Sequence, residues 1–178
     1  MWYVLQVRTG TEENIRTQCR NNIPEAVLTR CFIPYYEEKR RIRGTWTVIR
    51  KVLFPGYVFA VTDRPDNLYQ SLKQVIGLTK LLGTGQEIVP LTEEEKNFLE
   101  ELGGREQIVA MSEGIIEGDQ VIVTKGPLKG KEGMIRKIDR HKRKVWLEVK
   151  IFGKMQRVEA GLEIVAKNVG REEEREIN

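Results

Sequence analysis

The sequence predicts an α+β protein in two parts, a ferredoxin-like α/β sandwich followed by a small SH3-like β-barrel. In the first hundred residues, strand patterns alternate with three helix signals, whereas beyond residue 113 short alternating runs are separated only by turn residues. We expect an α/β domain at 1–103, a linker at 104–113, a barrel at 114–168 and a disordered charged tail at 169–178.

The first domain opens with a strand and a helix. Trp2 to Arg8 alternates and is rich in β-formers, and the S/T-x-x-E pattern of Thr9 to Glu12 predicts a capping box that opens a helix through about Asn22. Cys31 to Tyr36 predicts a second strand whose proline restricts it to an edge or a bend. The charged segment 37–43 then follows, and its basic part, around residues 39–43, is expected to be exposed.

The rest of this domain completes a βαββαβα order. Strands are predicted at 45–49, 56–61 and 78–82, with the turn Phe54-Pro55-Gly56 before the second of them. Asp63 is expected to cap a helix with Leu68, Leu72 and Val75 on one face. A second capping box, Thr92 to Glu95, opens a helix that Gly103-Gly104 ends.

Five runs predict the strands of the barrel: 120–124, 133–138, 145–150, 154–158 and 162–165. In the third of these, Val145, Leu147 and Val149 share one face while Trp146 lies on the other. We therefore expect Trp146 to be at least partly exposed.

Composition excludes several classes of protein. The N-terminus lacks a signal-peptide pattern, and no apolar run approaches the roughly 18 residues of a membrane span, so a cytoplasmic protein is expected.

Cys19 and Cys31 fit neither a zinc site nor a disulfide framework and are expected to be reduced thiols. His141, the single histidine, has no nucleophile or metal partner in sequence, and no P-loop spacing occurs. The sequence predicts no metal, no cofactor and no enzymatic activity.

The positive charge is concentrated in the barrel. Between Lys129 and Arg157 there are eleven lysines and arginines against three acidic residues, although the whole chain carries only +4. A basic loop beside an aromatic ring suits RNA through phosphate contacts and stacking, and the alternative is a merely solvated turn. The candidate RNA-binding residues are Lys129, Lys131, Arg140, His141, Lys142, Arg143, Lys144 and Trp146.

Two segments resemble the NusG family of transcription elongation factors, and the resemblance runs from Trp2 to about Lys167. Residues 54–59 (Phe-Pro-Gly-Tyr-Val-Phe), with Trp2-Tyr3-Val4, are similar to its N-terminal NGN domain, and residues 118–133 are similar to a KOW motif. The resemblance implies that the first domain binds the clamp helices of RNA polymerase through an apolar surface. The candidate residues are Phe54, Tyr57, Trp2, Tyr3 and Ile15, while Phe59 is assigned to the core; alternatively, Tyr57 also packs there.

The KOW turn departs from the usual family pattern. Its sequence, Leu128-Lys-Gly-Lys131, lacks the aromatics that help the family dock NusE or Rho, which argues against those partners. With the basic loop and the Trp46-containing insertion, it most resembles the specialised LoaP antiterminators, which implies a nascent RNA hairpin as partner.

The sequence alone leaves two alternatives open. One is a general NusG factor whose KOW domain binds NusE or Rho. The other is an RNA-recognition-motif protein, because Gly56 to Phe59 partly imitates the RNP1 pattern, although Pro55 and Val58 depart from it. Contact with non-template DNA is also left open.

Overall fold

The computed structural model describes residues 1–81, 83–84, 87–88 and 90–168. The chain divides into two compact units, one formed by residues 1–35 with 52–108, the other by residues 36–51 with the chain from Val109 onward. The predicted tail at 169–178 lies outside the described residues. The division into domains at 1–103 and 114–168 stays a prediction.

The fold class is confirmed as mixed α/β followed by a small β region. The first elements are β1 (Trp2–Val7), α1 (Glu12–Asn22), β2 (Arg30–Phe32), β3 (Tyr35–Ile42), β4 (Thr45–Val52), β5 (Tyr57–Val61), α2 (Pro65–Leu72), β6 (Leu78–Leu81), β7 (Gly83–Thr84), β8 (Glu87–Ile88) and α3 (Glu93–Gly103). The later elements are β9 (Ile108–Val109), β10 (Ser112–Glu117), β11 (Gln120–Lys125), a 3₁₀ turn (Glu132–Met134), β12 (Ile135–Asp139), β13 (Lys144–Ile151) and β14 (Lys154–Asn168).

The main sheet of the first unit has the strand order β2-β5-β1-β6, with neighbouring strands antiparallel. Counting these four strands along the chain, the order is second, third, first, fourth, which is the ferredoxin-like arrangement. One face of the sheet packs on α1 and α2 through a buried apolar core that includes Leu5, Ile15, Val58 and Leu68. Cys19 and Cys31 are free, buried thiols in the same core.

Two of the three predicted helix starts differ from the structure. The N-cap of α1 is Thr11, whose hydroxyl donates to Arg8 O at 2.6 Å, so the predicted capping box beginning at Thr9 is wrong. The N-cap of α2 is Arg64 rather than Asp63. At α3 the capping box is confirmed, with Glu95 N donating to Thr92 Oγ1 at 3.1 Å and Thr92 N to Glu95 Oε1 at 3.0 Å.

The charged segment after Tyr36 belongs to a β-hairpin. β3 and β4 are neighbours in a three-stranded sheet of order β4-β3-β9, and Arg43 and Gly44 form the turn with φ of 51° and 82°. Along β3, Tyr36 and Glu38 are buried while Glu37 and Lys39, on the opposite face, are half-buried, which is the alternation of a strand with one covered face. Residues 36–51 are called the β3–β4 hairpin below.

The barrel strands form a five-stranded sheet of order β11-β10-β14-β13-β12. The runs predicted at 154–158 and 162–165 are one strand, β14, which pairs antiparallel with β13 and then parallel with β10. Strand β10 lies largely where the linker and the domain start were predicted. The predicted face of β13 is confirmed, because Val145, Leu147 and Val149 are buried and Trp146 is half-buried.

Within the described part of the chain, no helix is long and apolar enough to cross a membrane.

Candidate binding surfaces

The turn before β5 is held by a buried carboxylate from α1. Glu12 is 4% exposed, and its two oxygens accept hydrogen bonds from Gly56 N at 2.8 Å and Gly10 N at 2.9 Å. Gly56 has φ of 88°, a conformation that glycine adopts without strain. Glu12 therefore fixes the Phe54-Pro55-Gly56 turn instead of capping α1.

The residues predicted to bind polymerase lie mostly in the core. Trp2, Tyr3, Phe54 and Ile15 are buried, whereas Tyr57 is half-buried. The turn folds Phe54 inward, and its ring centroid lies 6.0 Å from that of Phe59. Their role in polymerase binding stays a prediction.

An aromatic layer covers the second face of the main sheet. The Trp2 and Phe32 ring centroids are 5.0 Å apart, and those of Phe32 and Phe59 are 5.3 Å apart. Phe59 is fully buried, as predicted. A buried ring cannot stack on a base, so the face that an RNA-recognition motif would need is not presented.

The basic loop between β12 and β13 is shaped by Asp139. Its Oδ1 accepts from Lys142 N at 2.9 Å, and Arg143 N donates to Arg140 O at 3.4 Å. The hydrogen bond from Lys142 N is the main reason that the pKa of Asp139 is below its usual value. Arg140, His141 and Lys142 are exposed at the loop tip.

Arg143 and Lys144, by contrast, turn away from the tip. Lys144 is 7% exposed, and its Nζ lies 3.4 Å from Glu38 Oε1 and 3.2 Å from Glu159 Oε2. Arg143 is half-buried, with its guanidinium 3.8 Å from the centroid of the Trp46 ring. Both side chains contact the β3–β4 hairpin, a placement that the loop sequence does not suggest.

Lys144 is part of a buried polar cluster. Tyr36 donates its hydroxyl to Glu159 Oε2 at 2.6 Å, and Lys51 Nζ lies 3.2 Å from Glu38 Oε2. Burial would raise the pKa of Glu159, but the hydrogen bonds from Tyr36 and Lys144 and the Lys144 charge hold it below its usual value. Burial and the bond to Glu159 raise the pKa of Tyr36. The cluster thus favours the charged form of Glu159.

A second cluster lies around Glu163. Lys39 Nζ is 2.5 Å from its Oε2, and Arg143 Nη1 is 3.6 Å from its Oε1. The bond from Lys39 is the main reason that the pKa of Glu163 is lowered. These contacts attach β3 and Trp46 to the barrel at β14.

The KOW turn provides the remaining predicted cations. Leu128 is fully buried and its N–H donates to Ser112 Oγ at 3.1 Å, which anchors the turn to β10. Lys129 is exposed and Lys131 is half-buried. Trp146 has Lys137 Nζ at 4.8 Å and Lys144 Nζ at 5.5 Å from its ring centroid.

Family models match both parts of the chain. The model described as "Transcription termination factor nusG" matches residues 1–100, more than half of the chain, and the one described as "KOW motif" matches residues 117–154. The chain belongs to the NusG family. Proteins of the NusG family are transcription factors and not enzymes.

Individual NusG proteins match along nearly their whole length. NusG of Thermus thermophilus is 30% identical over 179 residues, covering 93% of this chain and 97% of that protein. NusG of Rickettsia felis is 29% identical over 172 residues, covering 94% of this chain and 90% of that protein. Both are described as "Transcription termination/antitermination protein NusG". A solved structure of Thermotoga maritima NusG, 23% identical, aligns with a TM-score of 0.58 over 90% of this chain and 92% of that chain, which supports the fold.

Sequence reasoning misses the residues that hold the Phe54-Pro55-Gly56 turn and the β3–β4 hairpin in place. The local pattern assigns Glu12 to a helix cap, and it does not single out Glu38 or Glu159. Tyr36 and Glu38 lie on one face of β3, but residues 35–40, Tyr-Tyr-Glu-Glu-Lys-Arg, have no apolar alternation that would indicate a covered face. The partners of these two residues, Glu159 and Lys144, are more than a hundred residues away in the chain, so no local pattern could indicate them.

Proposed function

We propose that this NusG-family chain is a transcription elongation and processive antitermination factor, most like the LoaP antiterminators. Residues 1–103 bind the RNA polymerase clamp helices, and the KOW domain at 114–168 binds a nascent leader RNA hairpin. The observation that carries this proposal is the exposed basic tip of residues 140–142, in a barrel region with eleven cations and three acidic residues between Lys129 and Arg157.

The RNA contact is assigned to the cations that face solvent. Lys129, Arg140 and Lys142 are exposed, and cationic side chains in such positions bind phosphates with little desolvation cost. The exposed His141 ring lies between Arg140 and Lys142 in the loop. Trp146 is half-buried and offers a partly exposed ring for stacking. Arg143 and Lys144 act indirectly, because their contacts with Glu163, Glu38 and Glu159 fix the base of the loop. Lys131, which is half-buried, is an auxiliary contact to the RNA.

The RNA proposal is tested by binding to structured leader transcripts of the source genome. We expect Arg140→Gln with Lys142→Gln to weaken binding and to lower the slope of log affinity against log salt by roughly 0.7 to 0.9 for each phosphate that is no longer neutralised. Lys154→Gln with Arg157→Gln removes two exposed barrel cations outside the loop and is the matched control. Binding that vanishes at near-physiological salt in the unmodified protein would contradict the proposal.

The polymerase contact is best tested at Tyr57. Phe54→Ala would open a cavity worth roughly 3–5 kcal/mol, because Phe54 is 2% exposed, and unfolding would obscure any binding defect. Tyr57 is half-buried, so Tyr57→Ala should lower polymerase affinity and antitermination while the protein stays folded. Tyr69→Ala, at an exposed aromatic on α2, is the control. Equal polymerase affinity in the two variants would contradict the Tyr57 assignment.

A second candidate function is that of a general NusG factor whose KOW domain binds NusE or Rho. It is favoured by the names of the relatives and by a cleft of about 580 Å³ on the barrel. In this cleft Val121, Ile135 and Ile138 lie among polar and charged residues, and such a mixed lining suits a protein partner. Tight binding of the full chain to purified NusE or Rho, with RNA binding indifferent to sequence, would favour this function over the first.

A further inference from the structure

A cleft of about 370 Å³ lies between the β3–β4 hairpin and the basic loop of the barrel, within the second compact unit. Its lining includes Lys39, Arg40, Arg41 and Trp46 from the hairpin, and His141 and Lys142 from the loop. The volume is at the lower end of the roughly 300–1,000 Å³ typical of small-molecule sites. Such a space suits an unpaired nucleotide and is too small for a duplex.

The charges of the cleft are divided between its floor and its rim. At the floor, Lys144 is paired with Glu38, and Lys39 is paired with Glu163. On the rim, Arg40, Arg41 and Lys142 are exposed. Because the floor charges compensate one another, the rim cations determine the potential that an approaching phosphate meets.

Trp46 supplies an oriented aromatic surface in this cleft. The Arg143 guanidinium lies 3.8 Å from the ring centroid, and Arg143 is in turn 3.6 Å from Glu163. A ring held from one side by a stacked guanidinium loses little freedom when a base stacks on it. Trp46 is nevertheless 40% exposed and lines the cleft, so part of the ring is accessible.

We propose that this cleft binds an unpaired segment of RNA, with phosphates on Arg40, Arg41 and Lys142 and a base stacked on Trp46. The inference rests on the proposed RNA-binding function and extends it, because half of the site then comes from the β3–β4 hairpin rather than from the KOW motif. A stem presented to the exposed loop would place its unpaired loop nucleotides in the cleft.

The test uses the full chain and a fluorescein-labelled RNA stem-loop with a uridine-rich loop, followed by fluorescence anisotropy. Arg40→Gln with Arg41→Gln, and separately Trp46→Ala, should each weaken binding roughly tenfold. Arg50→Gln, at an exposed hairpin arginine outside the cleft lining, should change affinity by less than about threefold. With a blunt duplex of the same stem, Trp46→Ala should have no effect, because no unpaired base is available.

A barrel variant separates this inference from the proposed function. Lys129→Gln with Arg140→Gln removes exposed barrel cations outside the cleft lining. If this variant binds more weakly while the Arg40, Arg41 and Trp46 variants bind like the unmodified protein, the composite cleft is overturned and RNA binding by the barrel stands. If the unmodified protein does not bind the stem-loop, the cleft inference is overturned, and if it also fails to bind the structured leader transcripts, the proposed RNA-binding function is overturned with it.

Photocrosslinking gives a second, structural reading. A 4-thiouridine in the RNA loop should crosslink to the tryptic peptide 44–50, which contains Trp46 and is released by cleavage after Arg43 and Arg50. Crosslinks confined to barrel peptides would overturn the assignment of the hairpin to the RNA site, whatever the affinities of the variants.

Discussion

Nearby residues of one basic loop have opposite environments. Lys142 is exposed at the tip, whereas Lys144, two residues later, is 7% exposed and lies between Glu38 and Glu159. The charges of the surrounding carboxylates offset the cost of desolvating a buried lysine. Such a lysine stabilises the fold and does not serve as a free phosphate contact. Charge density in a sequence therefore overstates the number of cations available to RNA.

Lys144→Met should consequently affect stability more than RNA affinity. Removal of the ammonium leaves Glu38 and Glu159 with less compensating charge, although Lys51 still pairs with Glu38 and limits the loss. We therefore expect the free energy of unfolding to fall by about 2–3 kcal/mol. Lys142→Met should change stability by less than about 0.5 kcal/mol. Urea denaturation of the two variants decides the question, and equal midpoints would show that the cluster contributes nothing.

Glu12 is a second residue whose environment differs from the sequence expectation. It accepts from Gly56 N and Gly10 N while buried, so Glu12→Ala leaves two N–H groups to find new partners and should destabilise the protein by roughly 1–3 kcal/mol. Glu13→Ala, at the exposed neighbouring position, should cost less than about 0.5 kcal/mol. Thermal unfolding of both variants measures the difference; similar melting temperatures would contradict the role assigned to Glu12.

At the scale of elements, the sequence is informative where the pattern is local. The helix from Glu93 to Gly103, its capping box and the alternation of β13 follow from residues within a few positions of one another. The continuity of β14 depends on its pairing with β13 and with β10, which lies far away in the chain, so a glycine such as Gly161 resembles a break between two strands. The burial of Phe54 is not predictable either, because periodicity does not tell which side of a turn is covered.

Gly161 marks a close approach rather than the end of a strand. A Cβ at this position would overlap Glu37 O of the β3–β4 hairpin and Met111 Sδ, and a backbone oxygen in a sheet cannot easily move. We expect Gly161→Ala to lower the free energy of unfolding by about 1–3 kcal/mol. Gly133→Ala has open space and serves as the matched control, with an effect within about 0.5 kcal/mol. Equal urea midpoints for the two variants would contradict the close approach.

At the scale of the whole molecule, the net charge is a modest +4, but the folded chain sorts its charges by burial. Cations that meet Glu159 and Glu163 are neutralised within the fold, while those at the loop tip and the hairpin rim face solvent. The same two carboxylates make the free energy of unfolding depend on pH.

The pKa values of Glu159 and Glu163 are lowered in the folded state. Their contribution to stability is therefore complete above the unfolded carboxyl pKa of about 4.3, and it is lost as the pH falls through the lowered folded values. We expect Glu159→Gln with Glu163→Gln to flatten the decline in urea midpoint between about pH 5 and pH 3, followed by tryptophan fluorescence. Glu13→Gln, exposed on α1, should leave that decline unchanged. A decline of equal steepness in the double variant and the unmodified protein would mean that these carboxylates do not hold the hairpin cluster together.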